Sequence, residues 1–248
     1  MAKEIKTASG KIVKINTRAG AVLPDVDAYR ERLWTQAEAS IDALGCHAIT
    51  PDDYIDRIRA LHRSIDLVAE LKPWIRKALD ERTDQVLNQM TTPAKSWTMQ
   101  LLYLDPGEVH PPHCHHNLIS TQVVLEGRVY AREWDRVARV APDTLLLRTR
   151  TDRWFGIGDR FETTEVSRNA HWFCADDKPA VMLNFYILGF QEWTFDPPGT
   201  KGRRMLDPTH GVQSDGLIVA RELPLEEGYL RFGDRAIEAI PLPRHAVG

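Results

Sequence analysis

The chain has 248 residues, a formal net charge of −3 and 43% hydrophobic side chains. That is enough for one large domain, or one domain with an elaborated periphery, and the small net charge gives no reason to expect nucleic acid or anionic lipid as a partner. No run approaches the roughly eighteen apolar residues of a membrane span, and Met1–Lys6 lacks an apolar signal core, so a cytoplasmic protein is expected.

In chain order, residues 1–23 read as an irregular lead-in whose one strand-like piece is Ile12-Val13-Lys14-Ile15. A helix is predicted from Val26 to Leu44, with Asp25 near its cap and Gly45 as its stop. Thr50-Pro51-Asp52-Asp53 predicts a second helix start, because Thr caps, Pro suits the first turn and the acids face the positive end of the dipole. Apolar residues from Ile55 to Leu79 recur at three- and four-residue steps, and Pro73 is expected to break or kink the helix near Leu71. Helix is therefore predicted over roughly residues 25–90.

From Trp97 the texture changes to short β-branched and aromatic runs separated by Gly, Pro and Asp. Strands are predicted at Trp97–Leu104, Leu118–Leu125, Arg128–Trp134, Thr144–Arg150, Phe161–Ser167, Ala170–Ala175 and Val181–Leu188. Many short strands at this spacing predict a sandwich or barrel. After Asp196 the chain turns polar, with strand-like pieces at Leu217–Glu222 and Tyr229–Phe232. The expected organisation is a lead-in and helical region over 1–92, a barrel core over 93–195 and an extension with short strands over 196–248.

The chemistry-bearing residues cluster. Four of the nine histidines, His110, His113, His115 and His116, fall within seven residues. On an extended chain alternate side chains share a face, so His113 and His115 point together while Cys114 and His116 point away. Two imidazoles side by side on a strand form half of a metal site, since neutral imidazole is the commonest ligand for iron, zinc, copper and nickel. His110 and His116 are the competitors for a ligand position. His47, His62, His210 and His245 read as structural. Cys114 reads as an ordinary half-buried thiol, and Cys46, Cys114 and Cys174 are too few and too far apart for a disulfide framework.

The stretch Gly107, five residues, His113-Cys114-His115, four residues, Ser120, six residues, Gly127 resembles the first motif of the cupin superfamily. It departs at Ser120, where most metal-binding cupins carry a glutamate ligand. The resemblance covers roughly Trp97 to Phe195 and implies a cupin double-stranded β-helix, a jelly-roll barrel, so the expected fold is mainly β with an N-terminal α-helical region. It also implies a third ligand on a later strand, for which the candidate is His171, although the usual Pro-x-Gly before that histidine is missing. Within the cupins, the glutamate-free three-histidine set is similar to that of thiol dioxygenases. Pro179-Ala180-Val181-Met182-Leu183-Asn184-Phe185-Tyr186 resembles their Pro-Ala-Val-Ser-x-His-x-Tyr. Tyr186 matches the tyrosine near the substrate. Asn184 and Met182 replace the histidine and serine of the relay, and the arginine expected near Leu87 has no match.

The resemblance thus implies a non-heme iron oxygenase with Fe(II) on His113, His115 and His171, or Zn, Mn or Ni in its place. Tyr186, Gln122 and Asn184 would act on a small chelating substrate and O₂. Without a carboxylate ligand the site would keep its full 2+ charge and attract an anionic substrate. A non-redox isomerase or lyase, and a ligand-binding cupin without turnover, are the alternatives. A homodimer paired through sheet edges is expected by analogy. Strand parity also nominates Arg128, Tyr130, Arg132 and Trp134 as one face of a strand that could line the cavity. The tryptophans of the β region, Trp97, Trp134, Trp154, Trp172 and Trp193, read first as packing and second as pocket.

Overall fold

A computed structural model describes residues 3–6, 12–15, 28–91, 96–188, 195–196 and 202–234. Strands β1 (Lys3–Lys6), within the lead-in expected to be irregular, and β2 (Ile12–Ile15) pair antiparallel. Helix α1 spans Ala28–Gly45 and ends at the expected glycine, with Leu33, Ala37, Ile41 and Leu44 buried along one stripe. The predicted Val26 start and Asp25 cap lie outside the described residues, as do Trp193 and His245.

Helix α2 (Pro51–Arg63) starts as its sequence predicts. Asp53 N donates to Thr50 Oγ1 at 3.1 Å and Thr50 N donates to Asp53 Oδ2 at 2.9 Å, a reciprocal capping box. Of the two breaks in the helical region that follow, the one at Leu71 is the break expected from Pro73, and the one that ends α2 is not expected. Helix α2 stops at Ser64, and a short α3 (Leu67–Glu70) follows, capped by Asp66. Pro73 breaks the helical region at Leu71 as expected, and does so from the first turn of a new helix, α4 (Lys72–Glu81), where a missing N–H costs nothing. Arg82 leaves α4 in the left-handed region (φ 49°), and Gln85–Thr91, expected as helix, is strand β3.

The β region contains β4 (Ser96–Leu104), β5 (Val109–His116), β6 (Leu118–Glu126), β7 (Val129–Ala141), β8 (Thr144–Phe155), β9 (Arg160–Thr163), β10 (Ala170–Ala175) and β11 (Ala180–Leu188). β9 ends earlier than the predicted Phe161–Ser167, while β7 and β8 form a longer hairpin than predicted. Beyond residue 195 come β12 (Gly202–Asp207), β13 (Ile218–Leu223) and α5 (Leu225–Phe232). β12 was not predicted, and Tyr229–Phe232, predicted as strand, is helical. Leu225, Tyr229 and Phe232 follow a helical repeat, with Glu226 and Glu227 in the first turn and Arg231 in the last.

All the pairing is antiparallel. One sheet has the order β3-β4-β11-β6-β9, and the other closes on itself as β10-β5-β12-β13-β8-β7. This is a mainly-β double-sheet jelly roll with N-terminal helices, the architecture the resemblance implies. Strands from beyond residue 195 complete the closed sheet: β12 joins β5 to β13.

Alternation of side chains builds three layers from these two sheets. In the five-stranded sheet, Trp97, Met99, Leu101, Ile119, Leu183 and Phe185 face the helices and form one core with them. The intervening residues face the closed sheet. At one end they meet Val129, Ala131, Phe155 and Phe173 in a second apolar cluster. Inside the closed sheet lies a third, with Trp134, Trp172, Leu145, Leu147, Cys114 and Leu206. Trp172 is fully buried here, worth several kcal/mol at roughly 25 cal/mol per Å². Gly127 closes the turn after β6 at φ 70°, and a Cβ there would sit 2.4 Å from the Pro179 carbonyl, so both conformation and space require glycine. Among the described residues no helix is long and apolar enough to cross a membrane.

Candidate metal centre

Between the two sheets, beside the second apolar cluster, is a cavity of about 310 Å³. One wall is the face of β5 and β10 that carries His113, His115 and His171. Their ligating nitrogens lie within 4.8 Å of one another. The cross-strand register sets His171 opposite His113, and parity adds His115 to the same face. His115 Nε2 and His171 Nε2 are 3.2 Å apart. His113 Nδ1 lies 2.7 Å from the Pro111 carbonyl, which fixes that nitrogen as the N–H and leaves Nε2 to ligate. Asn169, fully buried, accepts from His115 N at 3.0 Å and donates to the Thr164 carbonyl at 2.7 Å, tying β5 to the loop before β10.

Burial holds these rings neutral. It pushes His171 down to about 3, helped by the positive charge of Arg203. Burial likewise holds His113 and His115 well below the usual histidine range, with Arg203 and the neighbouring imidazoles adding to the effect. Neutral imidazoles are what a metal requires. A metal–nitrogen bond of about 2.0–2.1 Å would set two ligands of one tetrahedral ion roughly 3.3 Å apart. The observed 3.2 Å between two Nε2 atoms fits a shared dication, and no carboxylate belongs to the group.

The competitors are resolved by their contacts. His116 shares the face of Cys114 and meets Asp196, Nδ1 to Oδ2, at 2.8 Å, within a buried network that includes Arg136 and Arg139. His110 lines the cavity, because the register of β5 on β10 shifts between His171 and Phe173, and the extra residue falls at the proline pair. Its ring stacks on Phe173 at 4.4 Å, outside the three-nitrogen group. Cys114 is fully buried rather than half-buried, and burial pushes its thiol up to about 12.

The opposite wall comes from β4, β6 and β11. Asn184 pairs with Gln122 on one side and Gln100 on the other, giving a row of three amides across three strands. Tyr186 pairs with Ser120, and Ser120 Oγ donates to Asn184 Oδ1 at 3.3 Å. Gln122, Asn184 and Tyr186 are thus brought to one cavity with the three histidines. Ser120 also faces it, as a hydrogen-bonding group rather than a ligand.

Other nominations fall elsewhere. Arg128 pairs with Asp176, and Arg132 donates to Asp152 at 2.8 Å. Tyr130 donates to the same carboxylate at 2.6 Å, and Trp134 is inside the closed sheet. That face of β7 therefore does not line the cavity; its alternate face, Val129 and Ala131, looks toward the five-stranded sheet. The described tryptophans of the β region are packing: Trp97 meets Phe185 edge to face at 4.7 Å on the helix side, and Trp154 meets Tyr130 edge to face at 5.1 Å with the Arg128 guanidinium over its ring. Leu87, where the thiol dioxygenase arginine would fall, is buried against the helices.

Gln100, Arg203 and Tyr229 are among the lining residues that the sequence reading does not nominate. Gln100 had a signal, since Trp97, Met99 and Leu101 are apolar and Gln100 takes the other parity. Arg203 had none, because β12 was not recognised as a strand. Tyr229 reaches the cavity from α5, which lies close against β12 because Gly228 has no Cβ to meet Met205.

No protein-family model and no curated protein matches this chain. Solved structures do. KdgF from Halomonas sp. is similar at 16% identity and TM-score 0.29 over 44% of this chain and 79% of that one. A cupin domain of Cnp3 from Schizosaccharomyces pombe aligns at 12% identity and TM-score 0.30, over 43% and 64%. A Klebsiella pneumoniae protein with a double-stranded β-helix domain aligns at 10% and 0.29, over 45% and 76%. Each likeness covers less than half of this chain, and nothing about chemistry follows from it.

Proposed function

We propose that this protein is a cupin-type metalloenzyme, a non-heme Fe(II) oxygenase in which His113, His115 and His171 hold the metal and a small chelating substrate reacts with O₂. The observation that supports this most is the convergence of three neutral imidazoles, without a carboxylate, on a cavity open enough to admit a ligand. Three protein ligands leave coordination positions free, as a catalytic rather than a structural metal needs. Bound there, Fe(II) supplies a common centre for substrate and O₂ and the electron transfer between them.

The chain's own residues supply positioning. Pro111 and Asn169 fix the rings and backbone of β5, so the ligand nitrogens need little reorganisation. Gln122, Asn184 and Gln100 offer both donors and acceptors opposite the histidines, and Tyr186 adds a hydroxyl that can orient a polar group. Phe173 and Leu102 limit water on the apolar side. The thiol dioxygenase relay is absent, since Asn184 and Met182 stand where that family has histidine and serine. Substrates other than cysteine therefore fit better.

The test is metal content after purification without added metal, followed by oxygen uptake in a screen of small thiols, diketones and carboxylates. About one iron per chain with substrate-dependent uptake is the expected result. Full turnover with a redox-inert metal would replace the oxygenase with a Lewis-acid isomerase or lyase. Metal without turnover would leave a binding protein, and no metal on reconstitution would end the reading.

A further inference from the structure

β12 carries a cation to the mouth of the cavity. Arg203 lies opposite His115 in the antiparallel register, so its side chain leaves the sheet on the face of the three histidines. It lines the cavity and is exposed, whereas His113 and His171 are buried. The arginine therefore stands between solvent and the ligand cluster.

Among the described residues Arg203 makes no ion pair and no side-chain hydrogen bond. Its neighbours differ: Arg204, on the other face of β12, is held by Glu222 at 2.8 Å. The acids that line the same cavity are engaged elsewhere. Asp84 accepts from Tyr103 N at 2.9 Å, and Glu108 accepts from Asp105 N at 2.8 Å, at the far end of β5 from Arg203. The ligand set contributes no negative charge, and the positive field of Arg203 reaches all three rings. A dication on those rings beside an unpaired guanidinium leaves two like charges facing each other across a low-dielectric gap. An anion between them would turn that repulsion into two attractions.

We infer that Arg203 is a substrate-binding residue and that the substrate is a small carboxylate, gripped by the guanidinium at the mouth while its other polar end reaches toward the histidines and the amide row. The planar fork of arginine suits a carboxylate through two parallel hydrogen bonds. The cavity volume, about 310 Å³, lies at the lower end of the range for ligand sites and limits the substrate to a small molecule. Tyr229 and Leu188 border the same region and would cover the apolar flank of such a molecule. This deepens the metal-centre reading and rests on it for the role of the histidines, but the arginine contact is separable.

The probes are glycolate and its neutral amide glycolamide, which differ in charge and little in shape. Each is titrated into metal-free and zinc-loaded protein, with zinc stoichiometry measured in the same samples. The Arg203 Nε–Hε resonance, assigned by its loss in Arg203→Gln, is expected to move saturably with glycolate and not with glycolamide. Glycolate affinity is expected to fall about tenfold in Arg203→Gln and to recover in part in Arg203→Lys, while zinc stoichiometry stays at the wild-type value. Glycolate affinity unchanged in Arg203→Gln, or no charge-dependent movement of the Arg203 signal in either form, would overturn the inference. Failure of the wild type to bind zinc would break the metal-centre reading alone, with the metal-free titration still deciding the arginine.

Discussion

The two faces of strands β5 and β10 make opposite environments from the same backbone. On one face, Cys114, Ala170 and Trp172 enter the apolar cluster inside the closed sheet, and all three are fully buried. On the other, His113, His115 and His171 meet Gln100, Gln122 and Asn184 across a cavity that reaches solvent near Arg203. Residues adjacent in sequence therefore belong to different physical problems. His171 holds its lone pair ready in a low-dielectric site, while Trp172 fills volume and fixes the strand. The apolar face supplies stability that the polar face does not have to provide.

Replacing Trp172 with alanine is expected to have the largest effect on stability, about 3–5 kcal/mol in chemical denaturation of metal-free protein, from lost burial plus the cavity left behind. His171→Ala, one residue away, is expected to abolish metal binding while leaving metal-free stability much closer to wild type, as denaturation and metal analysis on the same samples would show. Equal destabilisation by both changes would break the comparison between the faces.

A second, smaller effect follows from protonation. His62, packed against Phe185 beneath the helices, and His171 are both held near 3 by burial, below the unfolded value of about 6.5. The unfolded chain then binds more protons than the folded one between those values. Stability is fully present above pH 6.5 and falls as pH drops toward 3, by roughly 1.4 kcal/mol per pH unit for each ring. His62→Gln should flatten the slope of metal-free protein by about one ring's share; an unchanged slope would mean that His62 is already charged in the folded state.

The smallest effect is chemical. Cys114, buried with its thiol raised to about 12, should resist alkylation in the folded protein, while exposed Cys46 reacts. Fast labelling of Cys114, read by mass spectrometry, would show that the barrel interior is open after all.

Much of this arrangement is legible in the chain. The parity of His113 and His115, the Gly107 and Gly127 turns and the strands from Trp97 to Leu188 need only local geometry, and the observed strands largely follow. The capping box at Thr50 is likewise local and was readable. Errors arose where a residue has two physical uses. Tyr229–Phe232 was read as strand from its aromatics, but Glu226, Glu227 and Arg231 complement a helix dipole. The Arg128–Trp134 face was offered to the cavity because alternation says which residues share a face and not which face is inside.

The sequence by itself determined the period-2 histidine pair, the strand-rich character after Trp97 and the absence of a glutamate at Ser120, because these depend on residue type and spacing along the backbone. Tertiary structure alone decided that His171 joins the pair, that the Pro111–Pro112 bulge turns His110 inward without joining it, and that Arg203 arrives from β12. Each of these depends on register between segments distant in sequence. Register is fixed only when whole sheets choose which face to bury.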